Sequence, residues 1–253
     1  MFDCNFRKKA EEENEEMYDV LDDLLTNELT TKKCGLPLLD AFLLTHPDQD
    51  HCRSFADKFF LGDPDAVPQS AKDDKKILIG ELWYSPRVFE ELSGELNADA
   101  KAFKKEAKRR MDLYKSNSNK ADKDGNRIRI IGWTDNPDLK GLEERIITPG
   151  NTISEVNGTS CRYFETFIHA PFKDDIEGED RNMTSIASQL RFMSDKNNEI
   201  IARVFLGGDT EWRVIQEIMN KTSNDDYLKW DLMEAPHHCS YKFFADDRED
   251  DPN

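Results

Sequence analysis

Apolar residues in this chain come in short runs between long polar stretches, and the spacing inside the runs changes along the sequence. Ala41 to Leu44 is an unbroken apolar run of the kind carried by strands buried on both faces, and it leads straight to His46. "KILIGELW" (76–83) predicts a second strand, and "RIRIIGW" (127–133) alternates charged and aliphatic residues as a half-exposed strand does. Further strands are expected at "TISEVNG", over 162–172, and over 186–193 and 200–209. The last two would pair as a hairpin across "SDKNNE", and a strand over 227–238 runs into two histidines. Residues 1–6 read as the tail of a short strand ending in Asp3.

Between these runs the spacing turns helical. Tyr18, Leu21, Leu25 and Leu29 mark one face of an acidic segment, 7–31, whose Glu and Asp residues read as a solvated surface. Short helices are expected over 53–60 and at "RVFEEL", a long one over 97–115 and an amphipathic one over 210–220. The Pro/Asp/Lys stretch 61–76 and the polar stretch 116–126 read as loops. Strands alternating with helices predict a layered α/β architecture, and 253 residues suit one domain of that kind. No internal repeat is visible.

Charge changes the picture more than length does. The formal net charge is −17, so the surface repels polyanions unless positive charge is gathered locally or carried by a bound metal. The five cysteines are odd in number and never spaced C-x-x-C, which speaks against a disulfide framework or zinc ribbon and for a reducing cytoplasm. No stretch approaches the roughly 20 apolar residues of a membrane span. The N-terminal residues lack the apolar core of a signal peptide.

The chain's chemistry collects where predicted strands end, which is where α/β sheets gather their ligand sites. "HPDQDH" puts His46, Asp48, Asp50 and His51 in one turn, and two of the chain's five histidines are there. Crowded carboxylates raise one another's pKa, a cost that a divalent cation removes, and imidazole with carboxylate suits zinc or manganese. "FLGGDTEW" ends a strand with two glycines before Asp209, which reads either as a site carboxylate or as the cap of the following helix. "EAPHHCS" carries His237 and His238; neighbours on a strand face opposite ways, so one is expected to be a ligand and the other a supporting or substrate-facing group.

Taken in order, His-x-Asp-x-Asp-His, then Gly-Asp, then Pro-His-His-x-Ser, the clusters resemble the metallo-β-lactamase fold, and more narrowly its branch in bacterial DNA-uptake (competence) proteins. "NMTS" (Asn182 to Ser185) before Gly-Asp and "FDCN" (2–5) resemble two further elements of that branch. The resemblance implies an αββα sandwich over 1–253, a single domain with a helical and loop insertion at about 61–126. Because the fold usually has more strands at both ends, the chain is expected to be incomplete at both termini. It also implies a site of one or two Zn2+ or Mn2+ ions held by His46, Asp48, Asp50, His51, Asp209 and His237, with Asp50 and His238 catalytic. The implied activity is hydrolysis by a metal-activated water. His169 in "FIHAPF" is the one candidate for a further motif histidine and reads equally as structural. Cys239 stands where the branch often has Gly, and Cys52 reads as a small buried filler.

The substrate is expected to be a phosphodiester, nucleic acid first. Lys101, Lys104, Lys105 and Lys108 share one face of the helix over 101–115, an isolated basic patch suited to phosphate contacts or simply to a solvated helix. Trp83 and Tyr84 could stack on bases but read more naturally as core. A small-molecule hydrolase for a cyclic nucleotide, lactone or thioester is the second reading. A non-catalytic truncated interaction module is the third.

Overall fold

The computed structural model describes residues 1–6, 21, 23–89, 96–173 and 181–245. Much of the acidic segment 7–31, Tyr18 included, and the end of "RVFEEL" lie outside them; Leu25 of its apolar stripe falls in a π-helical turn, Leu24–Glu28. The fold is mixed α/β, and the chain divides into two compact units, Met1–Trp83 with Glu95–Arg129 and Tyr84–Gly94 with Ile130–Asn253.

In the first unit the strands are β1 (Cys4–Asn5), β2 (Lys32–Lys33), β3 (Leu36–Leu44), β4 (Phe59–Phe60), β5 (Ile77–Tyr84) and β6 (Arg127–Ile131), the last crossing into the second unit at Ile130. They order as β2-β3-β5-β6, with β4 parallel to β5. Every residue of β5 is buried, as in a strand covered on both faces, and its one charged residue, Glu81, is paired with Trp83 and Arg129. Helices α1 (Gln49–Cys52), α2 (Phe55–Lys58), α3 (Gln69–Asp73) and α4 (Ala98–Lys115) accompany them. Phe42 of β3, Phe55 of α2 and Phe59 of β4 each put a ring against at least one of the others at 5.1–5.3 Å between centroids. Phe103 of α4 joins them at 5.1 Å from Phe55 and 6.2 Å from Phe42.

Local signals set the helix starts. The Asn97 side chain accepts the Ala100 N–H at 2.9 Å and caps α4. In the first turn of α4, Asp99 accepts the Ser54 and Ala56 N–H groups, each at 2.9 Å, and so ties the start of α2 to α4. The stretch expected as loop over 61–76 holds a 3-10 turn at Pro64–Ala66 and then α3. Asp63 accepts the Asp65 N–H and Pro64 takes the first helical position, start signals that a Pro/Asp-rich composition conceals.

The second unit is built on a five-stranded sheet, β14-β13-β12-β11-β8, from β8 (Thr152–Ile153), β11 (Phe164–Ala170), β12 (Ala187–Met193), β13 (Ile200–Leu206) and β14 (Leu232–Met233). Two short strands, β9 (Glu155–Val156) and β10 (Thr159–Ser160), form a separate hairpin, and β7 (Ile146–Ile147) runs parallel to Ile130–Ile131. β12 and β13 pair antiparallel, Ser188 opposite Leu206, which is the expected hairpin. β14 returns parallel to β13 after α5 (Trp212–Lys221), whose Val214 and Ile218 bury against Ala170, Ala187 and Phe205. The strand expected over 227–238 contracts to two residues. Before it, the Asn224 side chain accepts the Asp226 N–H and starts a 3-10 turn, and Asp226 then bonds Arg191 at 2.6 Å and Arg203 at 2.9 Å.

Candidate metal centre

In the first unit, β3 delivers Thr45 and His46 at its end, and the N-terminal residues run parallel beside it. Leu43 N–H donates to the Met1 carbonyl at 2.9 Å and Asp3 N–H to the Leu43 carbonyl at 2.8 Å. That pairing sets the Asp3 carboxylate behind the "HPDQDH" turn. Its Oδ1 accepts the Thr45 N–H at 2.8 Å; its Oδ2 accepts the Thr45 hydroxyl at 2.7 Å and lies 2.7 Å from His51 Nδ1. A carboxylate on Nδ1 holds the ring proton there, orients the ring and makes Nε2 the more basic, ligating nitrogen.

His46 and His51, both buried, lie with ring centroids 4.0 Å apart, and Thr45 Oγ1 is 3.1 Å from His46 Nδ1. Asp48 Oδ2 is 3.8 Å from His46 Nε2. Asp50, in the first turn of α1, and His51 present ligand atoms within 4.8 Å of each other. Within the turn, His46 thus lies by Asp48 and Asp50 by His51. Cys52 is fully buried and donates to the Asp48 carbonyl at 3.2 Å, and burial pushes its thiol up to about 12.

In the second unit, β13 stops at Leu206 and the chain passes through Gly207 and Gly208 to Asp209. A Cβ on Gly207 would stand 2.6 Å from Pro236 Cγ and 2.9 Å from Thr210 Oγ1, so only glycine lets the Pro-His-His turn come this close. The His237 N–H donates to the Gly208 carbonyl at 2.9 Å. Asp209 is buried, and its N–H donates to Ser185 Oγ at 3.3 Å. The cap of α5 is Glu211, so the reading of Asp209 as a helix cap gives way.

His237 and His238 diverge, though not for the reason that strand geometry supplied. Both, with Cys239, are left-handed, at φ 53°, 53° and 61°. Non-glycine residues in that region cost roughly 1–2 kcal/mol each, strain of the kind that collects at functional sites. His238 Nε2 lies 3.6 Å from Asp209 Oδ1. His237 turns the other way: its Nδ1 is 3.7 Å from Glu211 Oε1 and its Nε2 is 3.4 Å from Asn182 Nδ2. Of the two histidines, His238 is therefore the one set beside Asp209.

Outside these clusters, Lys101, Lys105 and Lys108 are exposed on α4 and Lys104 is half-buried, with Lys108 3.1 Å from Asp112. Arg109 and Arg110 point to Glu106 and leave the basic face to the lysines. Trp83 and Tyr84 are buried, and Trp83 Nε1 donates to Glu81 at 2.9 Å, so neither is placed to stack on bases. His169 is buried, T-shaped on Phe167 at 4.8 Å and 3.5 Å from Thr222 Oγ1. Burial pushes its pKa down from 6.5 to about 4 against an upward pull from the Tyr227 backbone. The unfolded chain thus takes up this proton first. The stability that neutral His169 contributes is complete above pH 6.5 and is lost as pH falls from there through 4. Thermal melts of the wild type should fall across that window, and His169→Gln should flatten this part of the curve.

Asp3, Thr45, Glu211 and Ser185 position the clusters, yet the sequence marks only Asp3 and Ser185, and those only as parts of motifs. Nothing in the spacing announces Glu211, which also pairs with Lys242 at 3.1 Å. No protein-family model, no curated protein and no solved structure matches the chain.

Proposed function

We propose that this chain is a metal-dependent hydrolase with the αββα architecture of the metallo-β-lactamase fold, and that it cleaves phosphodiesters. One observation carries the reading. Two buried imidazoles stand 4.0 Å apart with Asp3 and Thr45 bonded behind them, and carboxylates follow in the same turn. Two close imidazoles with acidic neighbours in one turn make a donor set that a divalent cation can use. The donor set fits Zn2+ or Mn2+.

His46, Asp48, Asp50 and His51 would be the ligands in the first unit; within the second, Asp209 and His238 stand 3.6 Å apart and form a separate pair suited to a cation. A bound divalent ion supplies Lewis-acid activation of a water and neutralises charge that develops on the substrate oxygens. Asp3 holds His51 in the ligating tautomer, and Asp50 orients the water and takes its proton. His237, whose Nε2 lies 3.4 Å from Asn182 Nδ2, is the histidine proposed to face substrate. Lys101, Lys105 and Lys108 would receive the phosphates of a nucleic-acid strand. No helix among the described residues is long and apolar enough to cross a membrane.

The test is cleavage of single-stranded DNA with Mn2+ or Zn2+, followed across salt and with a chelator. We expect cleavage that the chelator abolishes, that falls steeply with salt, and that Lys101→Glu/Lys105→Glu/Lys108→Glu lowers about tenfold or more without changing metal content. Turnover of small esters indifferent to that triple variant would favour the small-molecule hydrolase. Protein that holds no metal and hydrolyses nothing would leave only the interaction module.

A further inference from the structure

The second unit contains a cavity of about 380 Å3 that shares no residue with the proposed ligand set. Its volume falls at the lower end of small-molecule sites. The walls are aromatic: Phe167 and Tyr227 stack at 3.8 Å with 11° between their planes, and Trp133 and Phe172 line the same space. Two lysines join them. Lys221 Nζ sits 4.3 Å from the centre of the Phe172 ring, and Lys173 is the other.

Three features make this more than a gap in the packing. His169 lines it, is 4% exposed, and has no hydrogen-bond partner at Nε2, so a buried polar atom there lacks what buried polar atoms almost always have. Among the described residues no lining residue is acidic, in a chain of net charge −17. Two carboxylates that meet the lysines, Asp135 for Lys173 and Glu217 for Lys221, stand outside the lining. Those pairs are solvent-exposed, and exposed pairs are worth little, so the lysines can turn to a bound anion at small cost.

We propose that this cavity binds a small planar anion, a conjugated ring carrying a carboxylate or a phosphate. The ring lies among Phe167, Tyr227, Phe172 and Trp133, one of its polar atoms meets His169 Nε2, and its anionic group sits with Lys173 and Lys221. The site is independent of the hydrolase reading, because neither its residues nor its chemistry involves a metal.

Calorimetric titration in the presence of a chelator tests it, with 1-naphthoate and adenosine 5′-monophosphate as probes and 1-naphthalenemethanol as the neutral comparison. We expect at least one anion to bind at a single site about tenfold or more tighter than the alcohol. Lys173→Gln/Lys221→Gln should bring that anion to the level of the alcohol, and His169→Phe should abolish binding of both. The lysine changes lie at exposed positions and keep the test open if His169→Phe fails to fold. Binding of naphthoate alone identifies the carboxylate class and binding of the nucleotide alone the phosphate class. The proposal is overturned if neither anion outbinds the alcohol, or if the double lysine variant binds as the wild type does.

Discussion

Asp50→Ala should lower metal-dependent hydrolysis by about 10²- to 10⁴-fold, the range a positioned general base contributes, while the protein stays folded. The residue sits in the first turn of a four-residue helix, at a half-buried position, and presents its carboxylate close to His51. Its removal takes nothing from the phenylalanine core. Asp50→Asn keeps the shape and discards the basicity, so it should fail to a similar degree if proton transfer is the role and be milder if ligation is. Asp3→Asn separates the other half of the argument. It weakens the hold on His51 Nδ1 without touching a ligand, and the expected result is metal affinity about 10- to 100-fold lower with turnover partly restored by added metal. The measurements are single-turnover rates at saturating metal, and metal content after dialysis. An Asp50→Ala protein that turns over as the wild type does would take Asp50 out of the mechanism.

The clusters were legible because tight-turn chemistry is local. Six consecutive residues specify the "HPDQDH" turn, β3 announces itself by the unbroken apolar run Ala41–Leu44, and β5 by a mainly apolar run that Glu81 interrupts. The hairpin of β12 and β13 follows from two runs and a polar turn. What the sequence hid is of two kinds. Asp3 and His51 stand 48 positions apart, and nothing in either neighbourhood says that the N-terminal residues will lie along β3. The Pro-His-His turn was hidden differently. Its spacing reads as a strand, yet the approach to Gly207 and the His237–Gly208 hydrogen bond hold three successive residues left-handed, and that reverses which histidine meets Asp209. Tertiary contact overrode local preference there, at the place where the chemistry is proposed. The basic helix shows the same limit. Its charge count was read correctly, but two of its cations serve the fold, and periodicity alone cannot tell a cation that faces water from one that faces a carbonyl.

Those two cations point to the largest stability effect we expect. Arg110 is fully buried; it bonds Glu106 at 2.7 Å and donates to the backbone carbonyls of Ile79, Gly80 and Arg127 at 3.0–3.3 Å. Arg109 meets the same carboxylate at 2.6 and 2.9 Å and also bonds Asn126 and Gly125. Glu106 is thus the counter-charge that lets α4 lie on β5 and β6 with a guanidinium between them. Glu106→Ala strands that guanidinium in the core, and breaking a buried pair from one side costs about 3–5 kcal/mol. In urea this should appear as a lower midpoint at unchanged slope. Glu106→Gln keeps an acceptor and should lose less. Glu106→Leu/Arg110→Met removes the fully buried guanidinium together with its carboxylate and should lie well short of the sum of the single changes, although Arg109, partly exposed, loses its counter-charge and three carbonyls lose a donor. Lys105→Ala, on the exposed face of the same helix, should stay within about 0.5 kcal/mol. If Glu106→Ala were as mild as Lys105→Ala, the triad would be a crowded surface pair and not the link between α4 and the sheet.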